Sequence, residues 1–287
     1  MSDVDHLVIA VRDMQGAVSE FRALGFDVMD GGRHEWSGTC NSIITLPCGY
    51  LELLAVEDAD LARSSSRRGA VLVDYLRTVG GGYLGVAVAA DIDTVVSDLS
   101  ALPSHPPARV EMTRRRSDGR VISWELAIPN AVAWRRPWPF YIQWPGSPPN
   151  RRATEQPNGV DSVTRLTMRA RDVEAARTLF EASGLPTWSS TAGFHSRLAR
   201  GRCSTAVDMI NAGPGGSPDL PPRFREGIVE AELGVVPDGG IAVLTERLRQ
   251  AEFRCRSGDA SVEVRLESLA GQTLRFRERH DSTDRLG

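Results

Sequence analysis

The chain repeats its own beginning. The segment VDHLVIAVRDMQGAVSEFRALGF, residues 4–26, lies without gaps on VTRLTMRARDVEAARTLFEASGL, residues 163–185. Val4, Leu7, Arg12, Asp13, Ala17, Phe21, Ala23 and Gly25 each meet the same residue type 159 positions later. Repetition of this kind makes the second half a structural copy of the first and has to be settled before any motif is read. Both copies predict strand, turn, helix. Leu7, Ile9 and Val11 alternate with His6, Val8 and Ala10, the period of a strand. Asp13 stands where a helix cap is needed, Val18 and Phe21 fall on the helix's apolar stripe, and Gly25 suits its end. Two further strand-then-helix starts have the same outline, over 82–102 with Asp91 as cap and over 229–253. Short β-runs follow each helix, RVISWELA and PFYIQW among them. The pattern is β-α-β-β-β four times over, an α+β arrangement. It predicts a first domain over residues 1–148, a Pro-, Gly- and charge-rich linker over 149–160, and a second domain over 161–287.

Composition agrees with two ordinary globular domains. A length of 287 residues with 41% hydrophobic and 25% charged side chains is enough for sizeable cores. A net charge of −3 and a pI near 6.0 provide no basic field for nucleic acid or an anionic membrane. All 34 basic residues are arginine, which excludes lysine Schiff-base chemistry. The start of the chain lacks the basic-then-apolar pattern of a secretory signal, and no apolar run approaches the ~20 residues of a membrane span. Cys40, Cys48, Cys203 and Cys255 are scattered without a C-x-x-C pair and predict small core residues of a cytoplasmic protein, not a disulfide frame or a zinc site.

Several motifs carry a family resemblance. DHLVIAVRD and GYLELLAV open and close the first unit, and LGFDVMDGGRHEWSGTCNSI, RRRSDGRVISWELA and PFYIQW stand between and after them. With the four units, these resemble the vicinal-oxygen-chelate superfamily, which includes glyoxalase I, fosfomycin-resistance enzymes, extradiol dioxygenases and bleomycin-resistance binding proteins. The match is most specific over about the first 150 residues and to a glyoxalase-like branch; the second half is only generically similar. The resemblance implies two β-α-β-β-β units facing each other across a cup, with metal ligands on the first and last strands of a unit.

GYLELLAV places a carboxylate, Glu52, inside an apolar strand, which is costly unless the charge is paired, hydrogen-bonded or metal-bound. Alternation puts Glu52 opposite Leu51 and Leu53, and His6 opposite Leu7, Ile9 and Val11, so both side chains can share the concave surface. They match the superfamily's ligand positions. In the second unit, Leu84 matches His6 and Gln143 matches Glu52. The expected metal set is therefore His6, Glu52 and Gln143, around Zn, Ni, Mn or Fe, with water completing the shell. His34, in GGRHEWSGT, is expected as a ligand or as a substrate-facing acid/base, and Glu52 as a catalytic base. Trp36, Asn41, Trp124, Trp138, Tyr141 and Arg135 are expected to contact substrate, the aromatics as a flat apolar wall and Arg135 as an anion holder. TRRRSDGR, residues 113–120, predicts a hairpin turn with solvated charged flanks. His105, His195 and His280 are assigned no role. In the second half Arg165 falls where His6 stands and Asp208 about where Glu52 stands; the two are expected to pair, leaving a scaffold domain.

Three functions follow as expectations. The first is a metal-dependent glyoxalase-like enzyme, of isomerase, lyase or hydrolase type, acting on a small oxygenated metabolite. The second is a metal-free binding or antibiotic-sequestering protein. The third is a metal-independent enzyme using the same cup. A binder has no need of an imidazole beside a carboxylate, which tips the balance toward an enzyme. The chain is expected to act as a monomer or homodimer.

Overall fold

The computed structural model describes residues 3–115, 118–146, 155–200, 203–213, 220–237 and 239–279. Four β-α-β-β-β units follow one another along the chain. The first comprises β1 (Val4–Val11), α1 (Met14–Ala23), β2 (Met29–His34), β3 (Thr39–Thr45) and β4 (Tyr50–Val56). Two helices follow it, α2 (Ala59–Ser65) and α3 (Arg67–Thr78), in a stretch where strand and helix periodicity had given no element. The second unit comprises β5 (Gly81–Ala89), α4 (Ile92–Ser100), β6 (Pro107–Arg115), β7 (Val121–Pro129) and β8 (Phe140–Gln143). The third comprises β9 (Val160–Ala170), α5 (Val173–Ala182), β10 (Thr187–Ser190), β11 (Gly193–Arg200) and β12 (Cys203–Asn211). The fourth comprises β13 (Gly227–Val235), α6 (Gly240–Gln250), β14 (Cys255–Gly258), β15 (Ser261–Arg265) and β16 (Thr273–Glu278).

The repeated residues repeat their roles. Asp13 and Asp172 cap α1 and α5 through their carboxylates, and Phe21 and Phe180 are fully buried under their sheets. Gly25 and Gly184 end the two helices at φ +87° and +73°, a left-handed conformation that glycine adopts without a Cβ penalty.

The eight strands of the first half close into a barrel in the order β1-β4-β3-β2-β6-β7-β8-β5. The second half forms an open eight-stranded sheet, β10-β11-β12-β9-β13-β16-β15-β14. Strand alternation sorts the barrel's side chains. Leu7, Ile9, Leu51, Leu53 and Tyr141 belong to the large core under the helices, which continues into the second half through Leu166, Leu233 and Phe276. Val8, Ala10, Leu54, Leu126, Phe140 and Ile142 face the barrel interior.

The halves are joined more tightly than a linker composition suggests. Residues 149–154 of the expected linker lie outside the described residues, as does His280, but Gln156 and Asn158 are buried. Gln156 accepts from the Asp27 amide at 2.8 Å and donates to the Thr45 carbonyl at 2.7 Å, and Asn158 donates to the Leu24 carbonyl at 3.2 Å. Cys48 and Cys203 form a disulfide between the halves, which corrects the expectation of four unpaired thiols; Cys40 and Cys255 are free. The physical reason is the packing of the turn before β4 beside β9 and β12. The Cys48 amide donates to the Asp161 carbonyl, and the two Cα atoms come within 5.5 Å, inside the range a disulfide spans.

Candidate active site

His6 and Glu52 meet inside the barrel because β1 and β4 are parallel neighbours, with His6 level with Tyr50 and Val8 level with Glu52. His6 Nε2 lies 3.5 Å from Glu52 Oε2. On its other side the imidazole is held through Nδ1 by Asp5 Oδ1 at 2.8 Å, and Asp5 Oδ2 in turn accepts from the Trp144 indole at 3.2 Å. The His6 ring stacks on Tyr50 at 4.5 Å and meets Phe140 edge-on at 5.7 Å. A carboxylate on one nitrogen fixes the orientation of the other. With Nδ1–H given to Asp5, Nε2 of a neutral imidazole and Glu52 are two acceptors facing each other, an arrangement that calls for a shared proton or another cation.

Glu52 is embedded in donors. Asn41 Nδ2 donates to Glu52 Oε1, and Arg114 Nη1 donates to Asn41 Oδ1 at 3.0 Å. Arg114 lies on β6 in the stretch expected as a solvated hairpin, yet it is buried with its side chain turned inward. In a strand alternate residues face opposite ways, so Arg114 turns inward while its neighbour Arg115 faces out. His34 is also buried, its Nδ1 3.0 Å from the Thr39 hydroxyl and its ring edge-on to Trp124 at 6.2 Å. Burial, opposed by the Glu52 charge and reinforced by Arg114 and Arg68, lowers its pKa to about 4. His34 is therefore a neutral imidazole at pH 7, able to exchange hydrogen bonds with a ligand. Burial, with the Asp5 and Glu52 carboxylates adding to it, pushes the Tyr50 phenol well above its ordinary pKa.

The pocket they line has a volume of about 70 Å³, several times the ~10–15 Å³ that one water requires. His6, His34, Asn41, Glu52 and Trp124 all line it. Trp134, Trp144 and Phe140 complete an aromatic wall, and α3 contributes Arg68, Gly69 and Leu72 across one side.

Five other expected residues are not there. Gln143 is exposed and accepts from the Ile92 amide at 2.7 Å, at the start of α4. The inward residue of that strand is Ile142, one position earlier, so the register assumed for PFYIQW was off by one and reversed every face. Tyr141 is turned into the core for the same reason. Trp36 sits in the turn between β2 and β3 and is 81% exposed. Trp138 packs on the outer core with its ring edge-on to the half-buried His105 at 4.9 Å. Arg135 is a clamp between the halves and not an anion holder. Its guanidinium donates to the carbonyls of Tyr83 at 2.9 Å, Ile228 at 2.6 Å and Phe224 at 2.9 Å.

These residues do not complete a divalent-metal site. A catalytic zinc site takes about three protein ligands. Here the opposite unit supplies Leu84 and Ile142, and two guanidiniums lie beside Glu52. Among the described residues no three His, Cys, Asp or Glu side chains come together around a common point. In the second half Arg165 and Asp208 pair as expected, and His195 joins them, its Nδ1 2.7 Å from Asp208 Oδ1.

A closed barrel of paired β-α-β-β-β units with an inward His and Glu is the architecture of the vicinal-oxygen-chelate class. Solved structures bear out that fold. A hypothetical protein from Staphylococcus aureus aligns with a TM-score of 0.68 at 14% identity, covering 97% of this chain and 100% of that one. A variant of 4-hydroxymandelate synthase from Streptomyces coelicolor aligns at 0.55 and 12% identity over 97% and 93% of the two chains. The 2,2',3-trihydroxybiphenyl 1,2-dioxygenase from Sphingomonas wittichii aligns at 0.56 and 10% identity over 97% and 90%. No curated protein sequence matches the chain significantly. The glyoxalase-like domain family model matches residues 4–184, and the chain belongs to that family. Among the described residues no helix is long and apolar enough to cross a membrane.

Proposed function

We propose that the first barrel is the active site of a metal-independent, glyoxalase-like enzyme that moves a proton on a small oxygenated metabolite. The observation that carries this reading is the pair of facing acceptors, His6 Nε2 and Glu52 Oε2, 3.5 Å apart on the wall of one pocket. Two proton-accepting groups, one held by Asp5 and the other by Asn41, can take a proton from a bound molecule and return it elsewhere. A proton removed from a carbon beside a carbonyl leaves its electron pair on the carbonyl oxygen as an enolate. Arg114, held by Asn41, and the neutral His34 are the donors available to that oxygen. Where the deprotonated carbon carries a hydroxyl, passage of the hydroxyl proton to the enolate oxygen and reprotonation at the former carbonyl carbon complete an isomerisation; expulsion of a leaving group from the carbon next to the deprotonated one, with the electron pair, completes a lyase reaction.

The test is solvent exchange. Tag-free protein is incubated in heavy water with small hydroxyketones and hydroxyaldehydes, and deuterium at the carbon beside the carbonyl is followed by NMR. Incorporation is expected with wild type and is lost in His6→Ala and Glu52→Gln. Binding without incorporation makes the barrel a sequestering pocket of the bleomycin-resistance type. Near-stoichiometric Zn, Ni, Mn or Fe in the wild type, lost in both variants, overturns the metal-independent reading.

A further inference from the structure

The cavity contains a guanidinium whose partner does not match its chemistry. Arg68 stands in the first turn of α3, one of the two helices inserted between the β-α-β-β-β units, and lines the cavity from that helix. Its Nη2 lies 3.2 Å from Met112 Sδ, and among the described residues this thioether is its hydrogen-bond partner. Sulfur of this kind is a weak acceptor, whereas a guanidinium presents five donors in a planar fork suited to a carboxylate. Burial already lowers the Arg68 pKa, with the Glu52 charge opposing that effect, so the cation is held out of bulk water without a carboxylate in contact.

The charges on the cavity wall point the same way. Glu52 is the carboxylate there, against two guanidiniums, Arg68 and Arg114. Arg114 is engaged by Asn41. Among the described residues Arg68 is the guanidinium left without an oxygen partner. The rest of the wall is apolar and aromatic, with Trp124, Trp134, Trp144 and Phe140.

From this arrangement we infer that the site selects a small monoanionic carboxylic acid with an apolar or aromatic body, and that Arg68 is the residue that receives its carboxylate. This rests on the small-molecule reading of the barrel and adds the substrate class to it. A dianionic head such as a phosphate monoester is disfavoured, because its second charge would be repelled by the Glu52 carboxylate on the same wall. Arg68 enters from α3 and not from the barrel, so the anion contact is supplied by the inserted helices. Specificity for the charged end of the substrate is then separate from the His6–Glu52 pair, which belongs to the strands.

The experiment uses benzoate, benzamide and phenyl phosphate as probes, with calorimetry and the fluorescence of the cavity tryptophans as readouts. Wild type is compared with Arg68→Met, which keeps the apolar stem, and Arg68→Lys, which keeps the charge and loses the fork. Benzoate is expected to bind wild type, to lose about 10-fold or more in Arg68→Met, and to be restored in part by Arg68→Lys, as loss of a charge-assisted pair predicts. Benzamide should bind weakly and equally to all three, which also shows that the variants retain the folded pocket. Equal affinity for benzoate and benzamide, or an unchanged benzoate affinity in Arg68→Met, overturns the assignment and leaves the small-molecule site standing. Tighter binding of phenyl phosphate than of benzoate overturns the monoanion class. Binding of none of the probes overturns the inference as well, while solvent exchange at the His6–Glu52 pair judges the proposed activity independently.

Discussion

His6 Nε2 and Glu52 Oε2 approach to 3.5 Å although neither strand, taken alone, has a use for a polar residue at that position. Parallel pairing of β1 with β4 brings them together, and Asp5 and Asn41 then hold one each from outside the pair. A buried carboxylate and imidazole arranged in this way form a coupled network, whose members should fail together when one is removed.

Asn41 links Glu52 to Arg114, so its loss should cost stability beyond the loss of its own hydrogen bonds. Asn41→Ala leaves the Glu52 carboxylate and the Arg114 guanidinium each short of a partner in a buried setting. A destabilisation of about 1–3 kcal/mol is expected by urea denaturation. A double-mutant cycle with Arg114→Met should show coupling, because the two side chains share one hydrogen bond.

Acid should weaken the fold through His34. Its folded pKa of about 4 lies below the 6.5 of an unperturbed histidine, chiefly because the ring is buried. Between those values the unfolded chain binds the proton and the folded chain does not, so stability is fully present above pH 6.5 and falls as the pH drops toward 4. A shift of this size corresponds to about 3 kcal/mol at most. His34→Gln, unable to take a proton, should flatten that part of the stability–pH curve relative to wild type, as followed by denaturation at stepped pH.

The disulfide should be measurable in both chemistry and stability. Alkylation of the unfolded, unreduced chain should label Cys40 and Cys255, and labelling after reduction should reach all four cysteines. Closing a loop between Cys48 and Cys203 restricts the unfolded chain, and its reduction, or Cys203→Ser, should lower stability by about 2–4 kcal/mol. The readout is the thermal midpoint with and without a phosphine reductant.

Arg135 should matter for stability and not for ligand binding. Its guanidinium satisfies three backbone carbonyls, two of them in the other half of the chain. Arg135→Ala strands those carbonyls and should destabilise by about 2–4 kcal/mol, while any ligand affinity measured well below the new midpoint stays that of wild type.

Much of this protein was determined locally and could be read from the sequence. The repeat specified four β-α-β-β-β units because a capped helix after an alternating strand has one stable meaning, and Asp13 and Asp172 cap as their spacing required. Alternation also specified that His6 and Glu52 share a face, since the period of a strand is two whatever it packs against.

What depends on partners distant in the chain was settled by the tertiary structure. Gln143 was placed one residue out of register, and in a strand that error exchanges the inside for the outside. Arg114 looked like a solvated charge in TRRRSDGR and Arg68 carried no sequence signal, because nothing local says which face of β6 turns inward or that an inserted helix borders the cavity. Arg135 looked like an anion holder until the other half of the chain supplied its carbonyls. Cys48 and Cys203 are 155 positions apart and become neighbours only when the two sheets dock. Periodicity decides which residues share a face; which face encloses the cavity, and which distant charge enters it, follows from how the units close on one another.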